Sequence, residues 1–355
     1  MAKNTGKKTA KSSPGLEQLK QDLSSGQPGR LYILYGDESY LRARYLERLR
    51  AALLPPGTES FNLHTFDGRG ITADSFPQQL SEAVDSFPLM NDRSLVLVTD
   101  FDLFKTGERD KEYLAILEDL PDYVCLIFNY VSIKPDGRSM NGKLGKAAKA
   151  AGTIVRFDPL EGSDLSDWLI RRCREEGQTL GRAEAEYLAF YCGNALSDLI
   201  CEVDKLSAYA MGRPITREDI EQVCHPIPDA LSFHMVDAIL AGEFGRASDI
   251  LSNMLNDRQS GIMILGGLGK SLRQLYTARI AMERQAGSDW VAEQYGLASW
   301  QTGRLMSNAR RFPPAWYRSS LVLAADADKL LKLGGTDREV LTDLLLRLAA
   351  EASAC

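Results

Sequence analysis

No apolar run in this chain approaches the roughly 18 to 20 residues that a helix needs to cross a bilayer, so no membrane span is expected. Cysteine is sparse and scattered: Cys125, Cys173, Cys192, Cys201, Cys224 and Cys355 include no CxxC pair, and the chain opens without a secretory leader pattern. That argues for thiols kept reduced in a cytoplasm and against a disulfide framework. Cys224 and His225 with Cys201 and His234 can be assembled into a zinc set on paper, but their spacings match no zinc module, and neither metal nor cofactor is expected. A complete phosphate-binding loop is missing as well. Gly266-Gly267-Leu268-Gly269-Lys270-Ser271 ends in GKS, yet Ile264 stands where the motif needs its first glycine. Ile262 to Leu275 also runs with helical period, so the small residues read as a place where two helices approach closely.

Acid exceeds base, with a net charge of −6, although the first fourteen residues hold Lys3, Lys7, Lys8 and Lys11 and no acid. A basic tail on an acidic body does not describe a self-sufficient nucleic-acid binder. The basic clusters of the body, Lys143, Lys146 and Lys149, and Arg304, Arg310, Arg311 and Arg318, read as solvated faces, and weak intrinsic DNA binding is expected. At 355 residues the chain is long enough for two or three domains.

Residues 1–14 have too few apolar side chains to pack and are expected to be disordered. Leu31 to Arg50 then reads as strand, turn and helix: Leu31-Tyr32-Ile33-Leu34-Tyr35 suits a buried strand, Gly36 permits a sharp turn, and Tyr40, Leu41, Tyr45, Leu46 and Leu49 recur at helical spacing. Further strands are expected at Phe61 to Phe66, Ser94 to Thr99, Val124 to Phe128 and Thr153 to Phe157, separated by helices, with Thr72 placed to cap the one that carries Phe76 and Leu80. Apolar strands alternating with helices indicate a parallel sheet covered on both faces. Beyond Pro159 the periodicity is helical throughout: four short helices to Val223, a linker at His225-Pro226-Ile227-Pro228 where two prolines bar helix, and a bundle from Phe233 to Glu351.

Three places invite a functional reading. In a nucleotide-binding α/β domain the Gly36-Asp37-Glu38-Ser39 turn would cradle phosphates, but it holds one glycine, no lysine and two carboxylates. It is either an ordinary turn with Asp37 or Ser39 as helix cap, or the turn of a nucleotide-binding fold that has lost its nucleotide. Asp100 ends a buried strand where a metal-binding acid would sit, but Phe101 follows instead of a Glu, and it reads as a solvated strand-end acid. The third place is Ser86-Phe87-Pro88-Leu89-Met90-Asn91-Asp92-Arg93, a connection that ought to be polar and is not. Either one or two of its apolar side chains, Phe87 foremost, fold back onto the sheet, or they protrude as a plug for a partner's pocket.

These features together resemble the delta subunit of the bacterial DNA polymerase III clamp loader. The likeness is carried by Tyr32 to Glu38 with Tyr40-Leu41, Phe87-Pro88-Leu89-Met90 before Arg93 to Val96, Leu165 with Trp168-Leu169, Glu202 to Leu206, Thr216 with Glu218-Asp219-Ile220, Val236 to Ile239, and Asp326 with Lys329. The resemblance implies an AAA+-like parallel-sheet α/β domain over 15–158 with a degenerate ATP site, a small helical lid domain over 159–226 and an all-α collar bundle over 227–355. It implies a non-catalytic subunit that binds and opens the ring-shaped sliding clamp (beta) for loading on primed DNA. Leu89 and Met90 fall at that family's clamp-contacting pair, flanked by Ser86, Phe87 and Pro88; Met90 stands where Phe is common. The collar would join gamma or tau and delta prime subunits, with no homo-oligomer. The zinc module of related loader subunits and an arginine-finger motif are both missing. Two other readings remain: an active AAA+ ATPase or helicase-like motor, and a scaffold subunit that does not touch the clamp.

Overall fold

The computed structural model describes residues 13–71 and 74–353, so Thr72, residues 1–12 and Cys355 lie outside the described residues. The chain divides into two units at Leu160. The first contains α1 (Pro14–Ser25), β1 (Leu31–Tyr35), α2 (Ser39–Leu53), α3 (Glu59–Asn62), β2 (Leu63–Asp67), α4 (Phe76–Val84), β3 (Ser94–Thr99), α5 (Asp110–Glu118), β4 (Val124–Asn129), α6 (Lys143–Ala151) and β5 (Thr153–Arg156).

The five strands form one parallel sheet in the order β2-β3-β4-β1-β5. Every residue of β4 is buried, and in β1 only Tyr35 reaches the surface in part, as expected of central strands covered on both faces. Leu31 pairs with Leu126 and Ile33 with Phe128, and these side chains share one buried core with Phe76 and Leu80 from α4. Two boundaries differ from the sequence expectation. Helix α1 starts at Pro14, because the Ser13 hydroxyl accepts from Leu16 N–H and proline suits the first helical turn. Phe61 and Asn62 belong to the helical turn α3 and not to the second strand, because Asn62 is recruited to hold a distant loop.

The second unit is helical: α7 (Gly162–Glu175), α8 (Arg182–Cys192), α9 (Leu196–Ala210), α10 (Arg217–Val223), α11 (Pro228–Ala241), α12 (Phe244–Asn256), α13 (Gly261–Glu283), α14 (Ser288–Tyr295), α15 (Ser299–Ala309), α16 (Pro314–Lys332) and α17 (Asp337–Ser353). Helix α10 is opened by a capping box in which the Thr216 hydroxyl accepts from Asp219 N–H and the Asp219 carboxylate accepts from Thr216 N–H. Pro228 was expected in a linker, yet it begins α11, since proline at the first helical position gives up only a donor that would be unpaired anyway.

From α11 onward one core forms around Leu268, Leu272, Leu275, Trp316 and Tyr317. Of the paired glycines in α13, one permits a close approach: a Cβ on Gly267 would meet the Ser232 Oγ of α11 at 2.4 Å, whereas one on Gly266 would meet nothing. Among the described residues, no helix is long and apolar enough to cross a membrane.

Candidate functional site

In a parallel sheet all loops that follow strands lie at one end and all that precede them at the other. The Gly36 turn follows β1 and Asp100 follows β3, so both sit at the carboxyl end, where open α/β sheets bind ligands. Here Gly36 has φ 125°, and a Cβ on it would lie 2.1 Å from the carbonyl oxygen of Phe157, so only glycine fits beneath the chain leaving β5. The N–H of Glu38 donates to that same Phe157 oxygen at 3.1 Å.

The cap of α2 is neither Asp37 nor Ser39. It is Glu38, 6% exposed, whose Oε1 accepts from Tyr40 N–H at 3.1 Å. A carboxylate of the chain itself therefore occupies the positive end of the α2 dipole, the position that attracts phosphate in nucleotide-binding turns. Burial pushes its carboxyl up, against the opposing pull of the Tyr40 and Leu41 N–H groups and of Arg42. The buried Arg42 reaches back to donate to Gly36 O at 2.6 Å, while the exposed Asp37 pairs with Lys134. The turn is filled by its own side chains.

Asp100 departs from the sequence expectation of a solvated acid. It is buried in a left-handed conformation (φ 55°), and its Oδ1 accepts from the N–H groups of Val131 at 2.7 Å, Ser132 at 2.8 Å and Ile133 at 3.4 Å. Burial raises its carboxyl, but these N–H donors outweigh it and hold the group below the usual carboxylate range. The fixed donors after β4 thus form an anion nest occupied by an internal carboxylate.

The Ser86 to Arg93 loop precedes β3 and lies at the opposite end of the sheet, about 20 Å away for six-residue strands. Its apolar side chains do not fold back into the core: Phe87 is 74% exposed, Leu89 57% and Met90 90%. The only ring packed on Phe87 among the described residues is Tyr123, stacked at 4.8 Å. The backbone beneath is fixed. Asn62, fully buried, accepts from Leu89 N–H at 2.7 Å and donates to Leu89 O at 2.8 Å, closing a two-bond clasp.

Asn91 donates to the carbonyls of Leu53 and Arg93, and Arg93 to those of Pro28, Gly29 and Val124. Met90 is held at φ 58°, a conformation that costs a non-glycine residue about 1 kcal/mol or more and persists only where the surroundings enforce it. A turn that buries its polar backbone and shows its apolar side chains to solvent is built the reverse of an ordinary loop. Ser86 and Pro88 are half-buried at its base. The clasp residue, Asn62, was invisible to periodicity because it lies 27 positions from the loop it holds.

Of the basic clusters, Lys143, Lys146 and Lys149 line the exposed side of α6. Arg304 and Arg311 do not form a solvated face: Arg304 pairs with Asp237 at 2.5 Å and lies over the Phe233 ring, and Arg311 donates to Leu240 O. Among the described residues, the thiols, imidazoles and carboxylates that converge are Cys192, Glu202 and Cys224, and not the set assembled from Cys201, Cys224, His225 and His234.

An α/β unit with this sheet and turn, followed by an all-helical unit, is of the AAA+-like class. Comparison with known proteins makes the assignment particular. The family described as DNA polymerase III, delta subunit, matches residues 32–158, and the one described as DNA polymerase III delta subunit, C-terminal domain, matches residues 230–348. The DNA polymerase III subunit delta of Bacillus subtilis (strain 168) is 24% identical over 335 residues, covering 92% of this chain and 94% of the relative. The probable DNA polymerase III subunit delta of Aquifex aeolicus (strain VF5) is also 24% identical, over 276 residues and 76% of each chain. The solved structure of the Bacillus subtilis DNA clamp loader delta protein (YqeN) matches at a TM-score of 0.52 and 24% identity, over 94% of this chain and 99% of that one, a likeness of fold. The chain belongs to the DNA polymerase III delta subunit family.

Proposed function

We propose that this protein is the clamp-opening subunit of a DNA polymerase III clamp loader: it seats Leu89 and Met90, with Phe87 beside them and Ser86 and Pro88 at the base, in a hydrophobic pocket of the sliding clamp, and helps load the ring on primed DNA in the cytoplasm. The observation that carries this reading is the clasped loop, which exposes three large apolar side chains on a backbone that cannot collapse around them. Preorganisation of this kind lowers the ordering cost of binding. Burying a Leu and a Met contributes on the order of 1.5 to 3 kcal/mol each. Such contacts open a ring only to the extent that the open form binds better than the closed one.

The same reading makes the chain non-catalytic and without ATP of its own. Glu38 caps the helix where a phosphate would lie, Asp100 fills the neighbouring nest, and no lysine stands in the turn. In this account residues 159–226 act as a lid, and residues 227–355 as the collar that joins the gamma or tau and delta prime subunits, with primed DNA engaged by the whole complex and the chain not self-associating.

Gel filtration of the full chain with purified sliding clamp tests the central claim. A co-eluting complex is expected, and separate elution at concentrations well above micromolar would leave a scaffold that does not touch the clamp. Calorimetric titration with ATP and magnesium is expected to give no heat of binding. Saturable micromolar binding would instead favour an active AAA+ motor.

A further inference from the structure

The helices that follow Leu160 hold a side-chain cluster used by neither the loop nor the Gly36 turn. Cys192 is the last residue of α8, Cys224 is the cap that follows α10, and Glu202 lies midway along α9. Their two Sγ atoms and a carboxylate oxygen all lie within 4.8 Å of one another. Both cysteines are 7% exposed, and the Glu202 side chain, 12% exposed, pairs with Lys205 at 2.6 Å. A lone buried cysteine is a small hydrophobe and needs no polar neighbour. Two buried thiols that face each other and a carboxylate, one from each of three helices, instead make the donor set of a soft-to-borderline metal ion.

We propose that Cys192, Glu202 and Cys224 bind a thiophilic divalent cation of the zinc type, with water in the fourth position, clipping α8, α9 and α10 together. Zinc takes Cys sulfur at about 2.3 Å and carboxylate oxygen at about 2.0 to 2.2 Å in tetrahedral array, which sets its donors about 3.5 to 4 Å apart. Closing from separations of at most 4.8 Å needs a contraction of at most about 1.3 Å, within the reach of side-chain torsions. Thiolates select zinc or cadmium over magnesium and calcium, which prefer oxygen. Lys205 is the local opponent, and its half-exposed ammonium is free to swing into solvent once the cation neutralises Glu202.

Binding exchanges the two thiol protons for the metal. Because those protons must leave before the metal can bind, metal affinity must rise with pH. The clip lies beside the entry to α11, where Ile227 N–H donates to Tyr191 O at 2.8 Å.

Cobalt(II) is the probe, titrated into the full chain kept reduced by a phosphine. A thiolate-to-cobalt charge-transfer band that saturates at one equivalent, is displaced by zinc and strengthens with pH is expected. Cys192→Ser and Cys224→Ser should each abolish it, while Cys201→Ser, at an exposed position, should keep it. Zinc should raise the thermal midpoint of the wild type and leave that of the two serine variants unmoved. No band in the wild type, a band that survives Cys192→Ser and Cys224→Ser, or a band lost with Cys201→Ser would overturn the site. Should the serine variants not fold, alkylation of the wild type decides: zinc must protect Cys192 and Cys224 and leave Cys201 reactive, and equal labelling with and without zinc rules the site out.

Discussion

Replacing Leu89 and Met90 together by Ala separates recognition from folding. Both side chains project into solvent, at 57% and 90% exposure, and the bonds that fix the loop run through the backbone of Leu89 and the side chains of Asn62, Asn91 and Arg93, none of which the change removes. Alanine at position 90 meets the same left-handed backbone as methionine, so the strain there is unchanged. Stability should stay within about 0.5 kcal/mol of wild type, a shift in thermal midpoint of under about 2 °C for units of this size.

Clamp affinity should fall by at least about 2 kcal/mol, the scale of an interface hot spot, or about thirtyfold in Kd. Surface plasmon resonance on immobilised sliding clamp and differential scanning fluorimetry, run on one preparation, measure the two quantities. An unchanged Kd with an unchanged midpoint would remove the loop from recognition. A midpoint several degrees lower, with binding lost in proportion to unfolding, would make these residues part of the core. Phe87→Ala in the same assay decides whether the ring on Tyr123 is a second anchor: a tenfold loss says it is, and no loss leaves Met90 as the partner of Leu89.

Asn62→Ala should destabilise the first unit by about 1 to 3 kcal/mol, because it leaves the loop's N–H and C=O without their buried partner, and should weaken clamp binding although Asn62 touches no clamp; urea unfolding and the same binding assay check this. Glu38→Gln should be neutral or stabilising near pH 7, since burial raises the Glu38 carboxyl and a group so raised favours the fold below its unfolded pKa and loses that contribution as pH rises through the folded one; a clear loss of urea midpoint at pH 7 would contradict it. His234 is pushed down to about 4 by burial, with Glu221 pulling it up and Arg304, Arg217 and Arg246 pushing it down, and its Nε2 lies 3.1 Å from the Tyr187 hydroxyl. The unfolded chain takes that proton near the usual 6.5 and the folded one does not, so stability should fall as pH drops from about 6.5 to about 4, and His234→Gln should flatten that slope in urea midpoints taken across the window.

The sequence by itself determined what short-range physics controls. Buried runs such as Ser94 to Thr99 and Val124 to Phe128 alternate with helical periodicity and dictate a parallel sheet, and the unbroken three-to-four-residue spacing after Pro159 dictates helices. The composition of the Gly36 turn and the misplaced apolar cluster from Phe87 to Met90 were likewise legible, since both are departures from what a local segment should contain. The tertiary structure decided the outcomes that depend on partners far away in the chain. Asn62 left its expected strand because Leu89, 27 residues on, needed both its amide groups. Asp100 became a buried ion because the three N–H groups that hold it come from residues 131–133, on the neighbouring strand's exit. Phe87 faces solvent on a backbone that the clasp holds in place, and Glu38 caps its helix where the Phe157 carbonyl pins the turn. Periodicity reports which side of an element is apolar. It carries no term for a hydrogen bond between residues brought together only by the fold, and the candidate site is made of such bonds.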